Sequence, residues 1–409
     1  MSMFGLDDAS VTTAIAAVRG EQEGGSAEVR ECFARVAWHV MAEPGDRAAG
    51  RLIGALGAAH ALSTVLAGRG AQDVAAEVRD ALGDPEAMSP GLIEEAMARW
   101  RPRMLSRDVL RSVTLAARVG AALLMPGDGR WPSRLDDLGE HAPVLLWWRG
   151  PLDPAVASER AIAIVGSRAA TGYGEHVAAE LAGGLVERGI TVVSGAAYGI
   201  DGMAHRAALA TGGGTAAYLA GGIDRFYPAG HDDLLQQIVQ RGAVASEVPC
   251  GTAPARWRFL ARNRLIAAGS GATIVVEAGR RSGSNNTAAH AAELGRPLGA
   301  VPGPVTSASS VGCHRLLREF DAVCVTSAAE AAELIDGPAE EEPGRLGPRD
   351  DVQIRVLDAL STRSQRDTLD IARRAGLATG SVLGALGVLQ LEGAVREAER
   401  GWLAVPRRR

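Results

Sequence analysis

The chain has 409 residues, a formal net charge of -5, 47% hydrophobic residues and 22% charged residues, which gives room for two or three domains with real cores. No apolar run approaches the ~18 residues of a membrane span, and the first residues lack the basic-then-apolar pattern of a secretory signal, so a cytoplasmic protein without membrane contact is expected. Cys32, Cys250, Cys313 and Cys324 have no CxxC spacing, which argues against structural metal or a disulfide framework, and the negative total confines any polyanion site to a local patch.

Residues 1–115 read as a helical domain of the SAM or helix-hairpin-helix kind, with periodic stretches such as Ala48 to Leu66 broken by Glu43-Pro44-Gly45 and Asp84-Pro85. Its 12 arginines face 16 acids, so it is no basic arm. Leu52 to Gly57 could form a hairpin that offers backbone amides to phosphate; an ordinary turn between two helices is the simpler reading.

Residues 116–336 read as a connector plus an α/β core. In the connector, Pro143-Val144-Leu145-Leu146-Trp147-Trp148 predicts a short strand or packing segment with core tryptophans. Short apolar runs then alternate with helical stretches: Ile162 to Val165, Ile190 to Val193, Ala216 to Leu219, Ala243 to Ala245, Thr273 to Val276, Leu298 to Val301 and Val323 to Val325. Continuous apolar strands separated by helices indicate a mostly parallel sheet covered on both faces, a doubly wound, Rossmann-like domain.

A Pro- and Gly-broken acidic linker is expected over 337–350. The remaining 351–409 predict three helices, around Val352 to Leu360, Leu369 to Ala375 and Val382 to Leu389, followed by a hairpin between Gly393 and Val405. That order suits a winged-helix domain, although its would-be recognition helix, Ala378 to Gln390, carries no basic residue.

Ligands of an open parallel sheet sit beyond the carboxyl ends of its strands. There the sequence places Gly166-Ser167-Arg168, then Ser194-Gly195-Ala196-Ala197-Tyr198-Gly199-Ile200-Asp201, then Gly221-Gly222, Ser246-Glu247, Arg280 to Thr287 and Pro302-Gly303. Small glycine and hydroxyl loops before helices suit an anion. A dinucleotide site is not expected: no GxGxxG follows the first core strand, and no acid closes the second. A P-loop is excluded, because the chain contains no lysine and its 43 basic residues are all arginine. No cofactor, metal site or catalytic residue is indicated; Asp201 and His205 at a helix start read as a cap and a packing partner, and Glu277 is the one acid at the ligand edge.

Arg256, Arg258, Arg262, Arg264, Arg280 and Arg281 crowd a window with Trp257 and Phe259 and a single acid, Glu277. Arginine interleaved with aromatics suits a single-stranded backbone with stacked bases, and also suits a solvated helix face with core aromatics. The absence of a PGGxGT loop weighs against the alternative of a nucleotide-binding or nucleotide-hydrolysing Rossmann-like protein.

In order and spacing over about 160 residues, these loops resemble the DNA-processing protein A (DprA/Smf) family. The resemblance is carried by Gly166-Ser167-Arg168, the Ser194 to Asp201 loop, Ala204-His205, Tyr227-Pro228, Ser246-Glu247, Phe259 with Arg262-Asn263-Arg264, Glu277-Ala278, Ser282-Gly283-Ser284, Thr287-Ala288 and Pro302-Gly303. It implies a nonenzymatic protein, usually a homodimer, that binds and protects single-stranded DNA and loads the RecA recombinase in natural transformation or related recombination. The binding residues it implies are Gly166, Ser167, Arg168, Ser194, Gly195, Gly199, Gly222, Arg256, Phe259, Arg262, Asn263, Arg264, Ser282, Gly283 and Ser284. Three positions depart from the family pattern: Leu260 replaces a proline after the aromatic, His314 an asparagine, and Phe320-Asp321 a Gly-Ala pair.

Overall fold

A computed structural model of the chain describes residues 4–19, 25–337 and 350–405. The predicted 337–350 linker therefore lies almost wholly outside the described residues. Two compact units result, one up to Gly337 and one beyond it.

The first unit opens with helices α1 (Asp8–Arg19), α2 (Ser26–Met41), α3 (Arg47–Leu56), α4 (Ala58–Leu66), α5 (Ala71–Leu82), α6 (Pro90–Trp100) and α7 (Ser106–Arg118). Each buries one apolar stripe, as Val109, Ser112, Val113 and Ala116 do on α7. Leu52 to Leu56 are the last residues of α3, with Leu52 buried in the core, and Gly57 at φ +77° makes an ordinary link between two helices bent by 112°. The amides that a phosphate would need, those of Ala58 and Ala59, donate instead to the Glu31 carboxylate at 2.9 and 2.8 Å.

Strands β1 (Ala122–Leu124) and β2 (Leu146–Arg149) then lead into alternating elements. In order these are α8 (Pro154–Glu159), β3 (Ala161–Val165), α9 (Gly172–Glu187), β4 (Thr191–Ser194), α10 (Ile200–Ala210), β5 (Thr215–Tyr218), α11 (Asp232–Arg241) and β6 (Ala243–Ser246). There follow α12 (Arg256–Ala268), β7 (Ala272–Val275), α13 (Ser284–Glu293), β8 (Leu298–Ala300), α14 (Val311–Glu319), β9 (Val323–Cys324) and α15 (Ala328–Asp336).

The nine strands form one sheet in the order β1-β2-β6-β5-β4-β3-β7-β8-β9. It is parallel from β6 to β9, and β1 and β2 add an antiparallel edge. The doubly wound, mostly parallel core expected from the apolar runs is thus present. Ala161, Ala163 and Val165 of β3 enter one core and Ile162 and Ile164 the other, which is why that strand reads as an unbroken apolar run. The N-terminal helices share a third core with the β2/β6 side of the sheet: Phe33, Trp38, Trp100, Trp147, Ala217 and Val244 belong to one cluster. Among the described residues no single helix is long and apolar enough to cross a membrane.

The chain steps from β3 to β4, β5 and β6 in one direction, then returns to place β7 on the other side of β3. The sheet therefore has its topological switch point between β3 and β7, where a crevice opens at the carboxyl ends.

The second unit contains α16 (Asp351–Ala359), α17 (Thr368–Ala375), α18 (Thr379–Leu391) and the antiparallel pair β10 (Val395–Ala398) and β11 (Gly401–Ala404). Val356, Ile371, Val382, Leu386 and Leu389 form its core.

Candidate nucleic-acid interface

At the switch point lies a cleft of about 740 Å³. Gly166, Ser167 and Arg168 after β3 line one wall, and Ser282, Gly283 and Ser284 at the start of α13 line another. The first half of α12 supplies Arg256, Phe259, Arg262 and Asn263. These ten expected residues meet in one place.

The β3 loop is built to leave Arg168 outside. Ser167 N–H donates to the Glu277 carbonyl at 2.7 Å, and its carbonyl accepts from Ile200 N–H at 3.2 Å. Gly199, at φ +75°, passes so close that an added Cβ would lie 2.2 Å from the Ser167 oxygen, a backbone approach open to glycine alone. Glu277 braces the same loop: its buried carboxylate accepts from Thr171 N–H at 2.9 Å, Thr171 Oγ1 at 2.6 Å and Ser309 Oγ at 3.2 Å. The acid at the ligand edge is a strut.

Arg168 is exposed, and its guanidinium stacks over the Phe259 ring at 5.0 Å. Phe259 in turn lies 5.4 Å from the ring of Tyr227, which is half exposed. Arg256 and Arg281 are exposed at the same cleft. Among the described residues none of these three arginines has an ion-pair partner, so their charges are available to a phosphate.

Five expected residues do not line the cleft. Ser194 is buried and donates through Oγ to the Ile164 carbonyl at 2.6 Å. Gly195 lies beneath the Arg262 guanidinium, where an added Cβ would sit 2.4 Å from Nη1. Gly199 serves the β3 loop as above, and Gly222 packs against the Pro249 carbonyl and Cys250. Arg264 points away into the protein: its Nη2 donates to Glu247 Oε2 at 2.6 Å and its Nε to the His141 carbonyl at 3.0 Å, with both side chains buried. Desolvation without a partner would be prohibitive for either charge, so Arg264 and Glu247 hold each other.

Arg262 reaches the cleft only as its floor. Nη1 donates to the carbonyls of Gly195, at 2.8 Å, and Tyr218. Burial lowers the Arg262 guanidinium to about 10, partly offset by Asp201 nearby. Asp201 accepts from Gly195 N–H at 3.2 Å, and burial raises its carboxyl above the ordinary value against the pull of Arg262. His205 bonds Thr215 Oγ1 through Nδ1 at 2.7 Å, and burial lowers its imidazole to about 3, so it is neutral. Asn263 fastens the Ser284 side of the cleft, with Nδ2 donating to the Gly283 carbonyl at 3.3 Å and Asn286 Oδ1 at 3.2 Å.

Tyr227 and Arg281 join the cleft, although the sequence reading placed Arg281 only in the basic patch and named neither among the binding residues. Their signals were present, in the Tyr227-Pro228 turn and the Arg280-Arg281 pair. The family departures are accommodated: Leu260 continues an unbroken α12, His314 bonds the Gly303 carbonyl through Nε2 at 2.9 Å, and Asp321 adopts φ +53°. Among the described residues no group of three or more His, Cys, Asp or Glu could hold a metal ion.

Residues 122–336 match the model of the DNA recombination-mediator protein A family. The chain belongs to that family. A DprA protein of Mycobacterium tuberculosis is 47% identical over 305 residues, covering 70% of this chain and 78% of its own length. The Smf protein of Escherichia coli is 35% identical over 255 residues, covering 60% and 68%. The crystal structure of Streptococcus pneumoniae DprA superimposes with a TM-score of 0.57 at 29% identity, covering 76% of this chain and 99% of that one. The span that matches the DprA family model holds the whole parallel sheet and every residue of the cleft; α1 to α7 and the second unit lie outside it.

Proposed function

We propose that this chain binds single-stranded DNA in the switch-point cleft without consuming it, and acts, as a cytoplasmic homodimer, as a recombination mediator that protects the strand and loads RecA in natural transformation or related DNA processing. The observation that carries the reading is the contiguous Arg168, Phe259 and Tyr227 cluster at the cleft, flanked by Arg256 and Arg281, while Asp201, the one acid among the described lining residues, is buried beside Arg262. Adjacent, partly exposed aromatic rings, tilted 53° to each other, take unpaired bases, which a duplex keeps in its interior, and the arginines take the backbone. Hydrolysis of a nucleotide would need an acid free to activate water, and Glu277 and Asp201 are both engaged in hydrogen bonds.

The purified protein is expected to prefer single-stranded over double-stranded DNA, with little sequence preference and with affinity that falls as salt rises. Gel shifts of both substrates at two salt concentrations test this; equal or better binding to duplex sinks it. The cleft residues all precede Gly337, and α18 has no arginine, while Arg374 on α17 is paired with Asp370 at 2.9 Å. A chain ending at Glu342 is therefore expected to fold and to keep most of its single-strand affinity. If it stays monodisperse and folded yet no longer binds, the second unit is the main DNA site.

A further inference from the structure

The loop between β6 and α12 separates two cavities. Pro254 and Arg256 face the cleft, whereas Pro249 to Thr252 and Arg258 wall a second space of about 320 Å³ against α7 and the Arg101–Arg103 turn before it. That space is lined by Arg103, Arg111 and Arg258, against the acids Glu43 and Asp108. Glu43 is shared by two of the arginines, bonding Arg103 and, at 3.3 Å, Arg258 Nη2. Asp108 lies 3.8 Å from Arg107.

Arg111 is left over. It is exposed, stands against Gly251, and has no acid or hydrogen-bond acceptor among the described residues. Arg258 is fixed in the wall of this same space, its Nη1 donating to the Ala253 carbonyl at 2.9 Å, and its Nε is buried without an acceptor. Arg107, Arg111 and Arg118 are four and seven residues apart on α7, opposite its buried stripe, so they continue the positive lining along one exposed helix face. Arginine guanidinium groups spaced along one exposed face suit a run of phosphates.

We infer that this cavity and the α7 face form a second backbone-binding subsite, taking phosphates of the same DNA strand beyond the part held in the cleft. The subsite rests on the reading that the cleft holds single-stranded DNA, and it gives the N-terminal helices a part in binding. Arg256 and Arg258, two residues apart on α12, serve the two cavities separately, so a strand crossing the start of that helix meets positive charge on both sides, reinforced by the helix N-terminus.

The test is fluorescence anisotropy of the full chain and of Arg111→Ala with a six-nucleotide and a thirty-nucleotide oligothymidylate. Arg111 is exposed and bonded to none of the described residues, so its loss leaves the fold alone. Six nucleotides are expected to bind the variant as they bind the parent. Thirty nucleotides are expected to bind it about three- to tenfold more weakly, with the slope of log affinity against log salt reduced by about 0.7. Unchanged affinity and slope for the long strand overturn the subsite, as does an equal loss for both strands, which would place Arg111 at the cleft. Arg168→Ala in the same titration separates the two readings: if it leaves the short strand bound, it is the cleft that fails.

Discussion

Arg168→Ala is expected to weaken single-strand binding by about tenfold or more while leaving the circular-dichroism spectrum native. The loss corresponds to about 1.5–3 kcal/mol for a charge-assisted phosphate contact. It falls on binding alone because the backbone on both sides of Arg168 is fixed without its side chain, through Ser167 N–H on the Glu277 carbonyl and Thr171 on the Glu277 carboxylate. The guanidinium lies over the Phe259 ring at 5.0 Å, so its removal also uncovers one face of that ring. Unchanged affinity in a natively folded variant would remove Arg168 from the site.

Arg264→Ala is expected to do the opposite. It leaves the buried Glu247 carboxylate without the guanidinium that bonds it at 2.6 Å, and breaking one side of a buried pair costs about 3–5 kcal/mol. Urea unfolding should show that loss in stability, while the folded variant, held at low temperature, binds single-stranded DNA as the parent does. A variant as stable as the parent that no longer binds would return Arg264 to the DNA site.

The contrast between these two arginines marks how far the sequence could be read. Strands β3 to β8 are legible because a parallel strand buried on both faces leaves an unbroken apolar run, and glycine loops at their carboxyl ends locate the ligand edge. The family motifs then single out Arg168, Arg256 and Phe259, which the fold does bring together. They do not separate them from Arg262 and Arg264, since an arginine on a helix carries no local sign of which way it faces. That is settled by partners distant in sequence: Glu247 on the loop after β6 for Arg264, and the Gly195 and Tyr218 carbonyls at the ends of β4 and β5 for Arg262. Ser194 and Gly195 look like ligand-loop residues for a similar reason. The small side chains there make room for Arg262 and tie β4 to β3 through the Ile164 carbonyl. The Tyr227-Pro228 turn is a family motif, but the place of Tyr227 beside Phe259 follows only from the β5 to α11 loop folding back against α12.

Photocrosslinking shows whether bases of a single strand lie at the mouth of the switch-point cleft. A thirty-nucleotide oligothymidylate carrying photoreactive thymidines is bound to the full chain, irradiated, and the attached peptides are mapped. The crosslinks are expected on the segments that hold Tyr227 and Phe259, and to be lost from both in Arg168→Ala. Crosslinks confined to residues 351–405, with none on Tyr227 or Phe259, would place the strand on the second unit instead of the cleft.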